Sequence, residues 1–203
     1  MNKHGILIIL SGPSGSGKGT IVRQLLNERD DTILSISATT RAPRKGEEEG
    51  IHYYFKTKDE FKKLIKQGAF LEYAVYNGHY YGTLEEPIRR LLNEGKNVIL
   101  EIEVQGAEKV MDHRSDLVSI FITIPSMGEL KRRLHDRGTE TKETIEMRLE
   151  IAKRELSRAF RYDYVVLNDE VPLAVERIQT IINAEEMRYF RMENYILEVV
   201  NNA

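Results

Sequence analysis

Apolar residues fall in short separated runs whose spacing alternates between strand and helix periods. Residues 6–10 form a continuous run rich in branched side chains, as in a strand buried on both faces. Ile21, Val22, Leu25 and Leu26 then recur at helical spacing. Residues 33–37 predict a short strand, 38–50 a long arginine-, proline- and glycine-containing loop, and 51–55 an aromatic strand. Residues 70–76 and 79–81 flank Asn77-Gly78, whose tolerance of positive φ predicts a hairpin. Leu84, Ile88, Leu91 and Leu92 trace a helix closed by Gly95. A buried strand over 97–100 ends in Glu101 and Glu103, and a short helix starts near Val104. Residues 117–124 and 164–167 predict two further strands. Thr141 to about 159 reads as a charged helix with Ile145, Leu149, Ala152 and Leu156 on one stripe, and 172 to about 195 as one last helix.

Three hydroxyl-x-x-Glu patterns mark helix starts: Thr57 with Glu60, Thr83 with Glu86, and Ser126 with Glu129. In each, hydroxyl and carboxylate would satisfy one another's backbone donors. With residues 38–82 set aside, strand and helix alternate throughout, the signature of a parallel sheet covered by helices. The insert is antiparallel in character. The predicted fold is therefore an α/β core with a small mixed lobe and a charged helical flap.

The first strand and helix are joined by Gly12-Pro13-Ser14-Gly15-Ser16-Gly17-Lys18-Gly19-Thr20. Strand, glycine turn and helix is the context in which successive backbone N–H groups converge on an anion at a helix N-terminus. Gly12, Gly17 and Lys18 fit the phosphate-loop spacing, and Lys18 would reach the β and γ phosphates. Position 19 is glycine where that pattern carries a hydroxyl, which arrives at Thr20 instead. The hydroxyl that would face a metal ion is therefore left open.

Arg41 and Arg44 flank Pro43, which stiffens the loop, and two forked cations suit a phosphate dianion. The net charge of −2 gives no general attraction to nucleic acid or membrane, so an anion site must be built locally. At 203 residues, 41% hydrophobic and 31% charged, the chain reads as one ordinary globular domain with room for inserted lobes. It has no cysteine, no apolar run of transmembrane length, and no histidine pair at metal-binding spacing, so no protein-built metal site is expected. The residues before the first apolar run are too few for a signal peptide, and a cytoplasmic location is expected.

Taken together, residues 12–20, Thr39-Thr-Arg-Ala-Pro-Arg44, Gly46-Glu-Glu-Glu-Gly50, Tyr80-Tyr-Gly82, Glu101-Ile-Glu-Val-Gln-Gly106 and Arg137-Gly-Thr-Glu-Thr141 resemble guanylate kinase, with every motif in order over about residues 4–185. The resemblance implies a P-loop kinase core at 4–36 and 83–185, a GMP-binding lobe at 37–82, a lid at about 126–158 and a helical tail at 186–203. It implies transfer of the γ-phosphoryl of ATP to GMP with Mg2+. By the same resemblance residues 12–20, Arg137 and Asn168 bind ATP. Ser37, Arg41, Arg44, Tyr53, Glu72, Tyr81, Thr83 and Glu103 bind GMP, and Lys18, Arg41, Arg137 and Arg148 stabilise the transferring phosphoryl group, with Arg133 a weaker candidate. Glu101 ends its strand as a Walker-B-type acid does.

The residues support this chemistry in their own right. Guanine's pairing edge shows two adjacent donors, which a carboxylate matches and which adenine, with an acceptor there, does not. A peptide-binding scaffold module of the same fold is a competing reading, opposed by the intact phosphate loop. A GTPase switch would need D-x-x-G and N-K-x-D motifs, which are not suitably placed. A kinase for another phosphorylated nucleotide is the nearest rival. The tail's Met187, Tyr189, Phe190, Tyr195, Ile196 and Leu197 leave packing on the core, or a homodimer or higher homo-oligomer, open.

Overall fold

The computed structural model describes residues 4–136 and 141–201. At its centre is β1 (Leu7–Ser11), buried at every position. It is flanked by β7 (Asn97–Glu101) and β8 (Leu117–Thr123), with β2 (Thr32–Leu34) and β9 (Tyr164–Leu167) at the edges. The sheet order is β2-β7-β1-β8-β9, and every pairing is parallel. Parallel strands need crossovers, and the helices supplying them cover both faces.

Strand alternation divides the core into two layers. Ile8 and Leu10 point to the side where α1 (Lys18–Glu28) and α7 (Val171–Glu186) pack Ile21, Val22, Leu25, Val175, Ile178 and Ile182. Leu7 and Ile9 point to the other side, against α3 (Glu85–Asn93) and α4 (Val104–His113) through Ile88, Leu92, Ala107 and Val110. Each such fully buried Leu or Ile contributes roughly 1.5–3 kcal/mol. That two-sided burial is why residues 6–10 lack polar alternation.

The inserted lobe is a second sheet, β4-β3-β6-β5, built from β3 (Ala38–Thr39), β4 (Tyr54–Phe55), β5 (Phe70–Tyr76) and β6 (His79–Leu84). Its helix α2 (Lys58–Lys66) begins with the expected capping box: Glu60 N–H donates to Thr57 Oγ1 at 3.2 Å and Thr57 N–H to Glu60 Oε2 at 2.7 Å. Phe61, fully buried, stacks on Phe70 and Tyr80 with centroids 4.3 and 5.2 Å away. Asn77 and Gly78 take φ of 51° and 77°, the hairpin turn their sequence predicts.

Helices α5 (Met127–Asp136) and α6 (Lys142–Leu156) bury Leu130, Leu134, Ile145 and Ala152 in a small core of their own. Of the expected lid stripe, Leu149 joins this cluster and Leu156 packs on the main core instead.

Five local expectations are corrected. The strand predicted at 33–37 spans Thr32–Leu34, because from Ser35 the chain leaves the sheet for the lobe. The strand predicted at 51–55 is confined to Tyr54–Phe55, with Ile51 exposed. Ala38 and Thr39, predicted as loop, form a strand between β4 and β6. Thr83 caps no helix: β6 continues pairing with β5 through it, and its hydroxyl is drawn across to Glu72. Helix α3 starts instead at Glu85, its N-cap Leu84 offering no side-chain bond, and Glu85 N–H donates to Ala69 O at 3.0 Å. Finally, the last helix is two, α7 and α8 (Tyr189–Asn201). Short backbone bonds from Met187 to Ala184 and from Arg188 to Glu185 close α7, and buried Glu185 accepts from Tyr164 Oη at 2.6 Å.

Candidate active site

The turn from β1 into α1 lies at the carboxyl edge of the parallel sheet, where β7 and β8 flank β1 on opposite sides. In open α/β sheets ligands bind at that switch point. Gly17 caps α1 at φ 90°, and a Cβ there would lie 2.4 Å from Asn168 Nδ2. Glycine is thus demanded by both conformation and space. Asn168, almost wholly buried, follows β9 and donates Nδ2 to Ser16 O at 2.6 Å. Arg133 of α5 adds donations to Asn168 O at 2.9 Å and Ser16 O at 3.4 Å, while its Nε is held by Glu129 at 2.7 Å. The loop is therefore fastened from two neighbouring elements.

Glu129 is itself a shared anchor. Ser126 Oγ accepts its N–H at 3.1 Å as the third capping pattern predicts. The carboxylate does not complete the box; it turns to Arg132 and Arg133, whose guanidinium groups hold it down at about 2.

Lys18 lies on the loop that it follows. Its Nζ donates to Gly12 O at 2.5 Å and Pro13 O at 3.2 Å. It lines a cleft of about 350 Å³ with Ser14, Gly15, Gly17, Gly19, Thr20, Arg23, Glu101 and Glu103. Desolvation by the cleft walls pushes the Glu101 carboxyl up; nearby Lys18 opposes this and Glu103 reinforces it. Glu155, from the end of α6, is raised first by burial and then by Glu103, with Lys18 and the Ser14 N–H acting the other way. A cation is thus set near three carboxylates, two of which, Glu101 and Glu103, line the cleft with it.

A second constellation lies on the lobe. Arg41 stands over the Tyr53 ring at 5.4 Å, and the Tyr53 and Tyr81 rings meet edge-on at 6.2 Å. Arg44 is exposed on the turn after Arg41, and Ser37 is half-buried just before β3. On the same sheet Thr83 Oγ1 donates to Glu72 Oε1 at 2.8 Å. Burial raises the Glu72 carboxyl, with the Thr83 hydroxyl and then Lys109 drawing it back. The other oxygen, Oε2, would lie 3.3 Å from a Cβ on Gly106, so α4 can approach only because residue 106 has no side chain. Lys109 Nζ, also on α4, donates to Tyr73 O at 3.2 Å. One helix therefore touches the lobe at Gly106 and Lys109 and, through its N-cap Glu103, lines the phosphate-loop cleft.

The predicted residues thus fall into three groups. Residues 12–20 and Asn168 come together around the cleft, Arg41 with Tyr53 and Tyr81, and Glu72 with Thr83. Glu103 lies with the cleft. Arg148 is half-buried on α6. Arg137 lies outside the described residues. Sequence reasoning missed Glu155, Arg23 and Gly106's proximity to Glu72, as well as Glu47, which binds Arg41 through both its oxygens. Only Glu47 left a signal, being three residues after Arg44 at a glycine turn.

The guanylate kinase family model matches residues 4–185. The chain is 49% identical to the guanylate kinase of Clostridium perfringens (strain SM101 / Type A) over 197 residues, covering 97% of this chain and 91% of the relative. It is 50% identical to that of Desulfitobacterium hafniense (strain Y51), covering 93% and 94%. The crystal structure of guanylate kinase from Anaplasma phagocytophilum superposes with a TM-score of 0.72 at 36% identity, covering 93% of this chain and 90% of that one. A matching family model over nearly the whole chain, relatives near half identity and a shared fold agree, and the chain belongs to the guanylate kinase family.

Proposed function

We propose the following division of labour for the guanylate kinase reaction, in which the γ-phosphoryl group of ATP passes to GMP to give ADP and GDP. The phosphate loop, residues 12–20, holds the ATP phosphates, with Asn168 and Arg133 fixing its outer side. Lys18 leaves its own loop carbonyls for the β and γ phosphates. Ser37, Arg41, Arg44, Tyr53 and Tyr81 take GMP at its phosphate end. Glu72, Thr83 and Glu103 serve its base. The observation that carries this reading is the Thr83–Glu72 pair at 2.8 Å. It presents a desolvated carboxylate that matches the two adjacent donors of guanine.

The attacking group is an oxygen of the GMP phosphate, already anionic, so no general base is needed. As it bonds to the γ-phosphorus, the bond to the β–γ bridging oxygen breaks and charge spreads over the three equatorial oxygens. Lys18, Arg41, Arg137 and Arg148 neutralise that charge. The arginines also lessen the repulsion between two phosphate groups before they meet. The lobe (37–82) and lid (about 126–158) close over the cleft and keep water from the γ-phosphorus. Because β6 runs on to Leu84, the lobe's structural boundary lies slightly beyond 82.

The cleft also suits a hard cation brought in by the nucleotide. Thr20 and Glu101 offer oxygen donors there, and among the described residues no group of three or more His, Cys, Asp or Glu could hold a metal. That fits Mg2+, which keeps several waters and shares substrate phosphates. Bound, it would draw charge from the β and γ oxygens. The substrates are soluble nucleotides and the chain lacks cysteine, in keeping with a cytoplasmic enzyme. No described helix is long and apolar enough to cross a membrane.

Product balance tests the reading. With ATP, GMP and Mg2+, chromatography of the quenched mixture should give ADP and GDP in equal amounts, and EDTA should stop both. ADP without matching GDP would mean that water, not GMP, receives the phosphoryl group.

A further inference from the structure

Arg41 is the most tightly held side chain of the lobe's anion site, and the residue that holds it has no part in the scheme above. Its Nη2 donates to both oxygens of Glu47, at 2.8 and 2.9 Å, and its Nη1 to Ala42 O at 2.8 Å. The same Glu47 carboxylate accepts the Arg44 N–H at 2.8 Å, while the Glu47 N–H donates back to Arg44 O at 3.0 Å. One carboxylate thus closes the 44–47 turn on itself and grips the guanidinium three residues upstream of it. Both side chains are largely sheltered, at 14% and 17% exposure. The pairing lowers the Glu47 carboxyl and raises Arg41, with Tyr81 a further contributor at Arg41.

An arginine carries five N–H donors. Glu47 and Ala42 engage Nη2 and Nη1, neither contact uses Nε, and the guanidinium is parked over Tyr53 with Tyr81 beside it. A free arginine would have to surrender most of its rotamer freedom when a phosphate arrives. Here that ordering is already done.

We propose that Glu47 is a positioning residue for the GMP phosphate, acting through Arg41 and the 44–47 turn. The inference rests on the assignment of Arg41 to that phosphate. A carboxylate that merely filled the phosphate's place would do the opposite and compete with GMP.

The test is steady-state kinetics, varying GMP and ATP separately, for the unaltered chain, Glu47→Gln, Glu47→Asp, Arg41→Ala and the double variant Arg41→Ala/Glu47→Gln. Loss of one charge-assisted bidentate contact should raise the GMP KM of Glu47→Gln about tenfold. Its ATP KM should stay within about threefold, its kcat should fall by a smaller factor than the GMP KM rises because Arg41 also faces the transferring group, and Glu47→Asp should recover part of the loss. In the Arg41→Ala background the effect of Glu47→Gln on the GMP KM should shrink to about threefold or less, the remainder coming from the 44–47 turn that carries Arg44. A thermal melt of each variant accompanies the kinetics. An unchanged or lowered GMP KM in Glu47→Gln, or a full tenfold effect persisting without Arg41, overturns the proposal. If Arg41→Ala itself leaves the GMP KM untouched, the assignment of Arg41 falls and Glu47 with it. If Arg41→Ala is damaging but Glu47→Gln is silent, only the Glu47 inference fails.

Discussion

Replacing Lys18 by Met is expected to lower kcat about 10³-fold, with the melting temperature little changed. The side chains are similar in length and flexibility, so the loop keeps its volume. What is lost is a mobile point charge. Lys18 donates to Gly12 O and Pro13 O, both in the loop itself, so it sits one rotamer change away from an incoming β or γ phosphate. Those two contacts are local, part-exposed and replaceable by water, so stability suffers little. Glu101 and Glu103 remain in the cleft, with Glu155 close by, without their cation, which should also weaken ATP binding. Arginine at the same position should not restore the rate, because a planar fork cannot follow a phosphoryl group as a compact ammonium does. Single-turnover quench with saturating ATP and GMP separates this chemical loss from the binding loss.

Glu72→Gln is expected to cut kcat/KM for GMP by about 10²- to 10³-fold while leaving the ATP KM unchanged. Glutamine keeps an oxygen for Thr83 Oγ1, so the cross-strand bond at 2.8 Å can survive and the lobe stays folded. Its amide group, however, sets a donor against one of guanine's two donors. A buried, mismatched polar pair costs about 1–3 kcal/mol beyond the lost bond. Gly106 leaves room for the side chain, since a Cβ on that glycine would lie 3.3 Å from Oε2. Kinetics that varied GMP and ATP separately would check this. Equal losses for both substrates would make Glu72 a structural residue.

How much of this was legible in the sequence follows from where the determining contacts lie. The central strand and phosphate loop were readable because the signal is local: a continuous apolar run, then glycines at fixed spacing before a helix. The Thr57–Glu60 box and the Asn77-Gly78 turn are local for the same reason, and both formed as predicted. Thr83 shows the limit. Its sequence neighbourhood is that of a helix cap, yet its hydroxyl is claimed by Glu72, 11 residues away, because the β5–β6 ladder runs on past the expected end. Ala38 and Thr39 were invisible as a strand because two residues carry no period, and their pairing partners lie far along the chain. The break between α7 and α8 has neither glycine nor proline; it coincides with Glu185, buried against Tyr164.

The site divides along the same line. The charged and glycine residues assigned above to the substrates follow from spacing and family resemblance. The contacts that hold them in place do not: Asn168's grip on Ser16, Arg133's on Asn168 and Glu47's on Arg41 are tertiary or turn contacts, and the runs in which those residues sit do not reveal their partners. Glu155 was unreadable because it comes close to Glu103 and Lys18 from the far end of the lid helix.

The central claim is that a carboxylate on the lobe selects guanine while the phosphate loop holds ATP. Its most direct test is the ratio of kcat/KM for GMP to that for AMP, measured as ADP release with ATP and Mg2+ fixed. A site built to pair two donors should favour GMP by about 10³-fold or more. Use of AMP within tenfold of GMP would contradict the account.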